Sequence, residues 1–572
     1  MASMQHMHML RRTGSRILTC QRQTLSRTYS SGSVEDADVV IVGGGPTGLA
    51  LASALASHKI VSSSLKVALI EAGDLSKVQD WNPQPGVFSN RVSSITNSSR
   101  EFLKDIGVWD HVDESRTTPV RQMQIWDGIS DSRITFDASE TPLSTSTPPE
   151  SSQMAQMTEN LNLQRALLRQ LSNTSSMKLL QRVKVVSIQH EDKESGTGWP
   201  LIHLSDGAVL RARLLVGADG FNSPVRSYAG ISSYGWSYDT QAIVATLNHA
   251  DRALFMMPNT TAYQRFLPTG PIAFLPLSQT ASSLVWSTKP SLAAVLVKSE
   301  PGVLECTINA AFRLSEVSMK YLHQRVLESE NGMSREQIQD EITWRERSDS
   351  IPSYSAYTSA SNSASKGGMP PIDADALPPF VSSIQAGTIA SFPLRFNHAD
   401  TYIGEGMGAR TVLIGDAAHT IHPLAGQGLN LGLGDVEALT QSITTALTHG
   451  ADIGSYTALV PYARNRYFEN HKVMAAVDKL HKLYSSTAAP VVWARSVGLE
   501  VLNELDSVKA ALMLNAGAYG RSSHAAGSGW EIMAKGVEGL SGSVAHMKVL
   551  GAGVGGILGN NFRGLLKNIS QR

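Results

Sequence analysis

Residues 38–71 restrict the fold more than any other part of the chain. Asp38-Val39-Val40-Ile41-Val42 is a continuous apolar run rich in β-branched residues, the pattern of a strand buried on both faces. Gly43-Gly44-Gly45-Pro46-Thr47-Gly48 follows, then Leu49 to Ala56, rich in alanine and leucine and helical in character. A second apolar strand, Val67 to Ile70, ends at Glu71. Strand, glycine turn, helix and strand together predict a βαβ unit. Gly43, Gly45 and Gly48 stand at G-x-G-x-x-G spacing. The first permits a tight turn, the second lets backbone approach a pyrophosphate, and the third lets the helix pack closely on the strand. The helix N-terminus offers free N–H groups and partial positive charge to phosphates. Glu71, at the end of the second strand, stands where a carboxylate accepts hydrogen bonds from ribose hydroxyls. Gly551, Gly553 and Gly556 repeat the spacing, but no second strand or acidic residue follows before Arg572. That second match reads as a by-product of a glycine-rich tail.

One fingerprint does not separate FAD from NAD. Two later segments carry more information. Leu214-Leu215-Val216 is a short apolar strand that runs into Gly217-Ala218-Asp219-Gly220. Arg410 to Ile414 is another, ending in Gly415-Asp416 and followed by His419 and His422. Pro423, Gly426, Gln427, Gly428, Leu429 and Asn430 then begin a helix. His419 and His422 have no acidic or thiolate partner at ligand spacing, so both are read as packing or hydrogen-bonding histidines and no metal site is assigned.

The first 33 residues form a separate object. They carry Arg11, Arg12, Arg16, Arg22 and Arg27, many hydroxyl residues, and no acid before Glu35, the composition of a mitochondrial transit peptide. The only cysteines are Cys20 and Cys306, which excludes a disulfide framework and a thiolate metal centre. The 49 basic and 49 acidic residues balance, and no long basic tract suggests a nucleic-acid partner. No run of about 18 apolar residues suggests a membrane span.

In this order, the three motifs resemble those of the flavoprotein aromatic hydroxylases. The likeness extends through Arg91-Val92-Ser93-Ser94-Ile95 and Gln264 to Ala273, and with the leader it points to the mitochondrial branch that serves ubiquinone biosynthesis. It covers residues 36–345 and 388–517. The resemblance implies an α/β fold in which a Rossmann-like FAD-binding domain, discontinuous in sequence, holds an antiparallel β-sheet substrate domain and is followed by a helical C-terminal region. Asp416 would meet a ribityl or ribose hydroxyl of FAD. Pro423 would shape the turn over the flavin, Gly426 and Gly428 would bring backbone close to it, and the helix that takes in Asn430 would point its positive end at the N1–C2=O edge. Asp219 and Gly220 match the turn that contacts FAD, and Arg91 the arginine that approaches its phosphates.

The implied reaction is ring hydroxylation of a polyprenylated hydroxybenzoate through a flavin C4a-hydroperoxide formed with O2. Such chemistry needs no strong protein nucleophile, and no catalytic side chain is singled out. The implied electron source is a ferredoxin with its reductase, or NADPH. The implied setting is the matrix side of the mitochondrial inner membrane, held peripherally among other ubiquinone-biosynthesis proteins. A same-fold flavin reductase acting on a prenyl lipid and a non-catalytic FAD-fold subunit are the competing readings.

The expected layout is a transit peptide at 1–33 and FAD-binding segments at 34–110, 159–230 and 388–450. Substrate-domain segments are expected at 111–158, which includes a Ser/Thr/Pro loop, and at 231–387, which includes a low-complexity insertion at 349–386. A helical region at 451–519 and a glycine-rich tail at 520–572 complete the chain.

Overall fold

The computed structural model describes residues 34–130, 132–139, 153–172, 177–192, 198–250, 258–328, 333–348, 377–505, 509 and 512–513. The leader, most of the Ser/Thr/Pro loop, residues 349–376 of the insertion and the glycine-rich tail with its second glycine match lie outside the described residues.

A seven-stranded sheet forms around Val34–Val42, which runs parallel to Val67–Glu71 on one side and Val209–Gly217 on the other. Met177–Gln181 extends the parallel set beyond Val67–Glu71, and Thr411–Leu413 runs parallel beside the upper half of Val209–Gly217. Pro200–Leu204 and Val185–His190 add an antiparallel edge. Val39, Val40 and Ile41 are fully buried, as their unbroken apolar run requires. The helix Pro46–Ser57 buries every residue from Gly48 to Leu55. Its alanines make that possible, because small side chains let it sit between the sheet and the helices Asn160–Ser172 and Gly428–Thr448. Each buried Leu or Val side chain here contributes about 1.5–3 kcal/mol.

The second sheet has nine strands. Its main path runs His419–Thr420, Ala390–Ala399, Ser233–His249, Ala281–Thr288, Gly270–Pro276, Thr261–Leu267, Gln122–Asp127 and Arg133–Asp137. The expected antiparallel sheet is in fact mixed, because Thr261–Leu267 and Gln122–Asp127 run parallel. Gln122–Asp127 comes from much earlier in the chain and joins without a hairpin, so no tight turn dictates its direction. Val381–Ile384 corrects the end of the expected insertion, since it is a strand paired with Leu247–His249. Val381 is buried, and Asn309 both donates to its carbonyl and accepts from its N–H. Its two central serines are exposed and disguise it, because composition alone reads a serine-rich stretch as loop. A small third sheet, Val92–Thr96, Ala155–Glu159 and Thr117–Val120, lies apart from the other two.

The helices Gly428–Thr448, Tyr456–Ser485 and Ala489–Asn503 follow. Arg495 fixes the last of them. Its Nε and Nη2 each lie 2.8 Å from an Asp127 carboxylate oxygen, and its Nη1 donates to the carbonyls of Leu483 and Ser486. Both partners of this bidentate pair are buried, at the far edge of the second sheet. Among the described residues, no helix is long and apolar enough to cross a membrane.

Candidate active site

The glycine turn is shaped by what surrounds it. Gly43 has φ +113°, and a Cβ there would lie 2.2 Å from the Ala218 carbonyl oxygen. A Cβ on Gly48 would lie 1.9 Å from the Gly43 oxygen. Gly45 differs, since a Cβ on it would meet nothing within 4 Å. Gly45 is the N-cap of Pro46–Ser57, with no side chain capping the helix and Pro46 starting it. That leaves an uncovered helix N-terminus beside an open backbone, a setting that suits an anion. Glu71 braces the same turn. Its Oε2 accepts the Gly44 N–H at 2.6 Å and its Oε1 the Gly73 N–H at 2.5 Å.

Backbone hydrogen bonds bring the other two motifs to this place. The Ala218 N–H donates to the Val42 carbonyl at 2.8 Å, and the Ile414 N–H to Gly217 at 2.9 Å. Gly415, at φ +58°, packs so closely on Thr47 that a Cβ would lie 3.0 Å from its hydroxyl. Asp219 Oδ2 accepts the Val225 N–H at 3.1 Å, at the start of the short helix Pro224–Tyr228. Its Oδ1 is buried without a hydrogen-bond partner, and burial pushes the carboxyl pKa up. Gly220 follows at φ +82°. The Asp416 side chain is accessible, yet the protein mass around it raises its pKa against the opposing pull of His419.

Pro423–Ala425 forms one 3₁₀ turn that ends at Gly426, which is left-handed at φ +60°. The helix Gly428–Thr448 starts directly after, again without a side-chain cap. Asn430 is committed to protein at both ends of its amide. Its Oδ1 accepts the Thr96 N–H at 3.1 Å, and its Nδ2 donates to Ser94 O at 2.8 Å. It braces the strand Val92–Thr96 against the new helix. Arg91, just before that strand, is exposed.

Asp435 lies outside the three sequence motifs. This residue is fully buried in Gly428–Thr448 and joins the site to the helix behind it. Its Oδ2 accepts the Gly415 N–H at 3.0 Å and lies 2.6 Å from His419 Nε2. Its Oδ1 accepts from Arg466 Nε and Asn470 Nδ2, both at 2.9 Å. Burial alone would raise this carboxyl, but His419 and Arg466 overcome that and hold it down to about 2. His419 is therefore a hydrogen-bonding histidine as expected, but with an acidic partner that the local spacing did not reveal. The one trace in the sequence is that, of the two acids in that helix, Asp435 and Glu437, only Asp435 falls among its buried positions.

Residues 36–331 and 385–464 match a family model described as an FAD binding domain. A relative from Schizosaccharomyces pombe, the mitochondrial ubiquinone biosynthesis monooxygenase COQ6, is 38% identical over 476 residues, which cover 82% of this chain and 90% of the relative. The Homo sapiens protein of that name is 35% identical over 492 residues, covering 85% of this chain and 94% of the relative. Among solved structures, the p-nitrophenol 4-monooxygenase PnpA from Pseudomonas putida shares the fold, with TM-score 0.56 and 16% identity across 85% of this chain and 100% of that one. PqsL, a probable FAD-dependent monooxygenase from Pseudomonas aeruginosa, matches with TM-score 0.51 and 17% identity across 82% of this chain and 100% of that one. The cradle built from three separated motifs and the extent of these matches lead to one conclusion: the chain belongs to the COQ6 family of FAD-dependent monooxygenases of ubiquinone biosynthesis.

Proposed function

We propose that this chain hydroxylates the aromatic ring of a polyprenylated hydroxybenzoate. The observation that carries the reading is the convergence of Gly43–Gly48, Asp219 and Gly415–Asp416 at the C-terminal ends of neighbouring parallel strands. Bound FAD supplies the chemistry that activates O2. The chain's own residues bind it, orient it and keep water away. Gly45 and the helix N-terminus behind it receive the pyrophosphate, with Arg91 reaching its outer side. Asp219 Oδ1, a buried acceptor with no protein donor, suits a ribose or ribityl hydroxyl, and Asp416 suits another. Glu71 acts through the glycine turn that it braces. Pro423, Gly426 and Gly428 bring an uncapped helix N-terminus to the flavin ring, and Asn430 holds that helix in place.

Exclusion of water matters because activated oxygen in a wet site is lost as hydrogen peroxide. The strand Thr261–Leu267 is buried along its whole length, and Phe266 stacks on Tyr484 with centroids 3.9 Å apart. These groups form a dry wall on the sheet side.

The arginine-rich leader and the mitochondrial relatives support action in mitochondria, with 1–33 as the targeting segment. The lipid tail of the proposed substrate supports peripheral attachment at the matrix side of the inner membrane, beside other ubiquinone-biosynthesis proteins. A ferredoxin with its reductase, or NADPH, provides the electrons.

The decisive experiment loads residues 30–572 with FAD, reduces the protein without air, and admits O2 with a prenylated hydroxybenzoate present. A product heavier by one oxygen is expected. Stable FAD loading with no hydroxylated product would overturn the substrate reading. Asp219→Ala tests the cradle itself. It is expected to weaken FAD binding by roughly tenfold or more and to lower stability by about 1 kcal/mol through the lost bond from the Val225 N–H. Flavin-fluorescence titration and urea unfolding read the two effects, and an unchanged FAD affinity would remove Asp219 from the site.

A further inference from the structure

Two buried imidazoles stand where the flavin loop meets the second sheet, and the cofactor cradle uses neither. His422 is 1% exposed and directly precedes the Pro423–Ala425 turn, where its Nδ1 accepts the Leu424 N–H at 3.1 Å. Burial, helped by His481, pulls its pKa down to about 3, so the ring is neutral at physiological pH. A neutral imidazole that accepts at Nδ1 carries its proton at Nε2. That Nε2–H is buried and has no hydrogen-bond partner. It is a donor of fixed direction with nothing to receive it.

The neighbours of His422 do not satisfy this donor. Tyr238, on Ser233–His249, meets the ring edge-on with centroids 5.1 Å apart, and its hydroxyl is committed to Asp478 at 3.0 Å. His481 lies 4.7 Å away, is itself buried, and keeps an unpartnered Nδ1. The charged groups acting on His481 are Asp478, Lys289 and Lys482. On the cofactor side, the Ile421 side chain lies 3.6 Å from where a Cβ on Gly428 would stand. The His422 ring therefore sits between the loop assigned to the flavin, Tyr238 of the second sheet and His481 of Tyr456–Ser485.

We propose that His422 is a substrate-contacting residue whose Nε2–H donates to the phenolic oxygen of the aromatic substrate, with His481 Nδ1 as the second polar group of the same seat. The inference rests on the hydroxybenzoate reading above. A phenolic hydroxyl both accepts and donates. It takes the proton offered by His422 and, with His481 in its Nε2–H tautomer, gives its own to Nδ1. A carboxylate or a quinone carbonyl can only accept, and so satisfies one nitrogen of the two. Proton acceptance at His481 Nδ1 favours electron release into the ring, which hydroxylation by an electrophilic oxygen requires, while the His422 donor holds the oxygen in place. A neutral imidazole does this without protonating the substrate.

The test uses His422→Asn in the FAD-loaded full chain, because asparagine keeps an acceptor for Leu424 and loses the reach of Nε2. Two ligands are titrated by calorimetry and by the flavin absorbance change: a hydroxybenzoate with one short prenyl chain, and its analogue with hydrogen in place of the hydroxyl. The wild type is expected to prefer the phenol by roughly 10- to 100-fold. In His422→Asn that preference shrinks to a few-fold, and His422→Gln, which restores an amide N–H, recovers part of it. Equal weakening of both ligands, or an unchanged preference, overturns the seat. Should the asparagine protein not load FAD, the wild type alone decides, since equal affinity for the two ligands overturns the proposal. If neither ligand binds the loaded wild type, the hydroxybenzoate reading falls and the seat falls with it. A phenol preference that survives in His422→Asn overturns the seat and leaves that reading intact.

Discussion

Alanine in place of Gly45 is expected to leave the cofactor-free chain within about 1 kcal/mol of the wild type while costing about 1–3 kcal/mol of FAD binding, roughly a 5- to 150-fold loss of affinity. The reason lies in the two sides of this residue. Gly45 sits at φ −70° and ψ 176°, an extended conformation that alanine adopts freely and that suits a residue before proline. Its missing Cβ touches no protein atom, so the fold has no use for glycine here. The open face is needed only if a pyrophosphate passes over it. Gly43→Ala provides the contrast. At φ +113°, with the Ala218 oxygen 2.2 Å from the new methyl, the backbone at the centre of the sheet must shift. A loss of more than about 3 kcal/mol is expected, enough to deplete folded protein with or without cofactor. Thermal unfolding of the two apoproteins, followed by FAD titration of the survivor, separates a glycine that serves the ligand from one that serves the fold. A Gly45→Ala protein with wild-type FAD affinity would show that the pyrophosphate does not cross that face.

The second large effect is expected at Asp435. Alanine there strands Arg466 and His419 inside the protein and leaves the Gly415 and Asn470 donors without their acceptor. Removing one partner of a buried pair costs about 3–5 kcal/mol. FAD binding should fall as well, because the turn that presents Asp416 loses its anchor. The pH dependence has a definite sign. Asp435 is held at about 2, below its ordinary value of 3.8, so the folded state favours the ionised form. Its contribution is complete above about pH 4 and drains away as pH falls through the folded value. Urea unfolding should show a gap between wild type and Asp435→Ala that is full at neutral pH and narrows below pH 4. A gap that widened on acidification would mean that the carboxylate is not what stabilises this network.

The contrast between these residues explains which parts of the molecule can be read from sequence. The glycine turn is legible because its requirements are local: a strand, three glycines and a helix within a short span, each fixed by a backbone constraint. The Gly-Asp turn at 415–416 is legible for the same reason. Asp435 is hidden because its partners come from a strand 16 residues before it and a helix 31 residues after it, a meeting that no local spacing records. His422 and His481 meet only through tertiary packing. Asn430 was expected at the cofactor because of its place in the motif, yet its amide is consumed within the protein. In the sheets, periodicity locates the strands but not their directions, so the parallel pairing of Gln122–Asp127 could not be foreseen. The strand Val381–Ile384 is missed because two solvent-facing serines outweigh its apolar ends.

The bidentate pair of Asp127 and Arg495 joins residues 368 positions apart. Within the sheet Asp127 faces the charge of the buried Arg265, and it gains its bidentate partner when the last helix docks. The pair therefore acts on the order of events in folding as well as on the finished structure. The first Rossmann strands and their helix can form from the amino-terminal half alone, but the wall around the aromatic ring closes last, latched from the carboxyl end. A chain delivered amino end first, from a ribosome or through a translocase, keeps that wall open to solvent until nearly all of it has arrived.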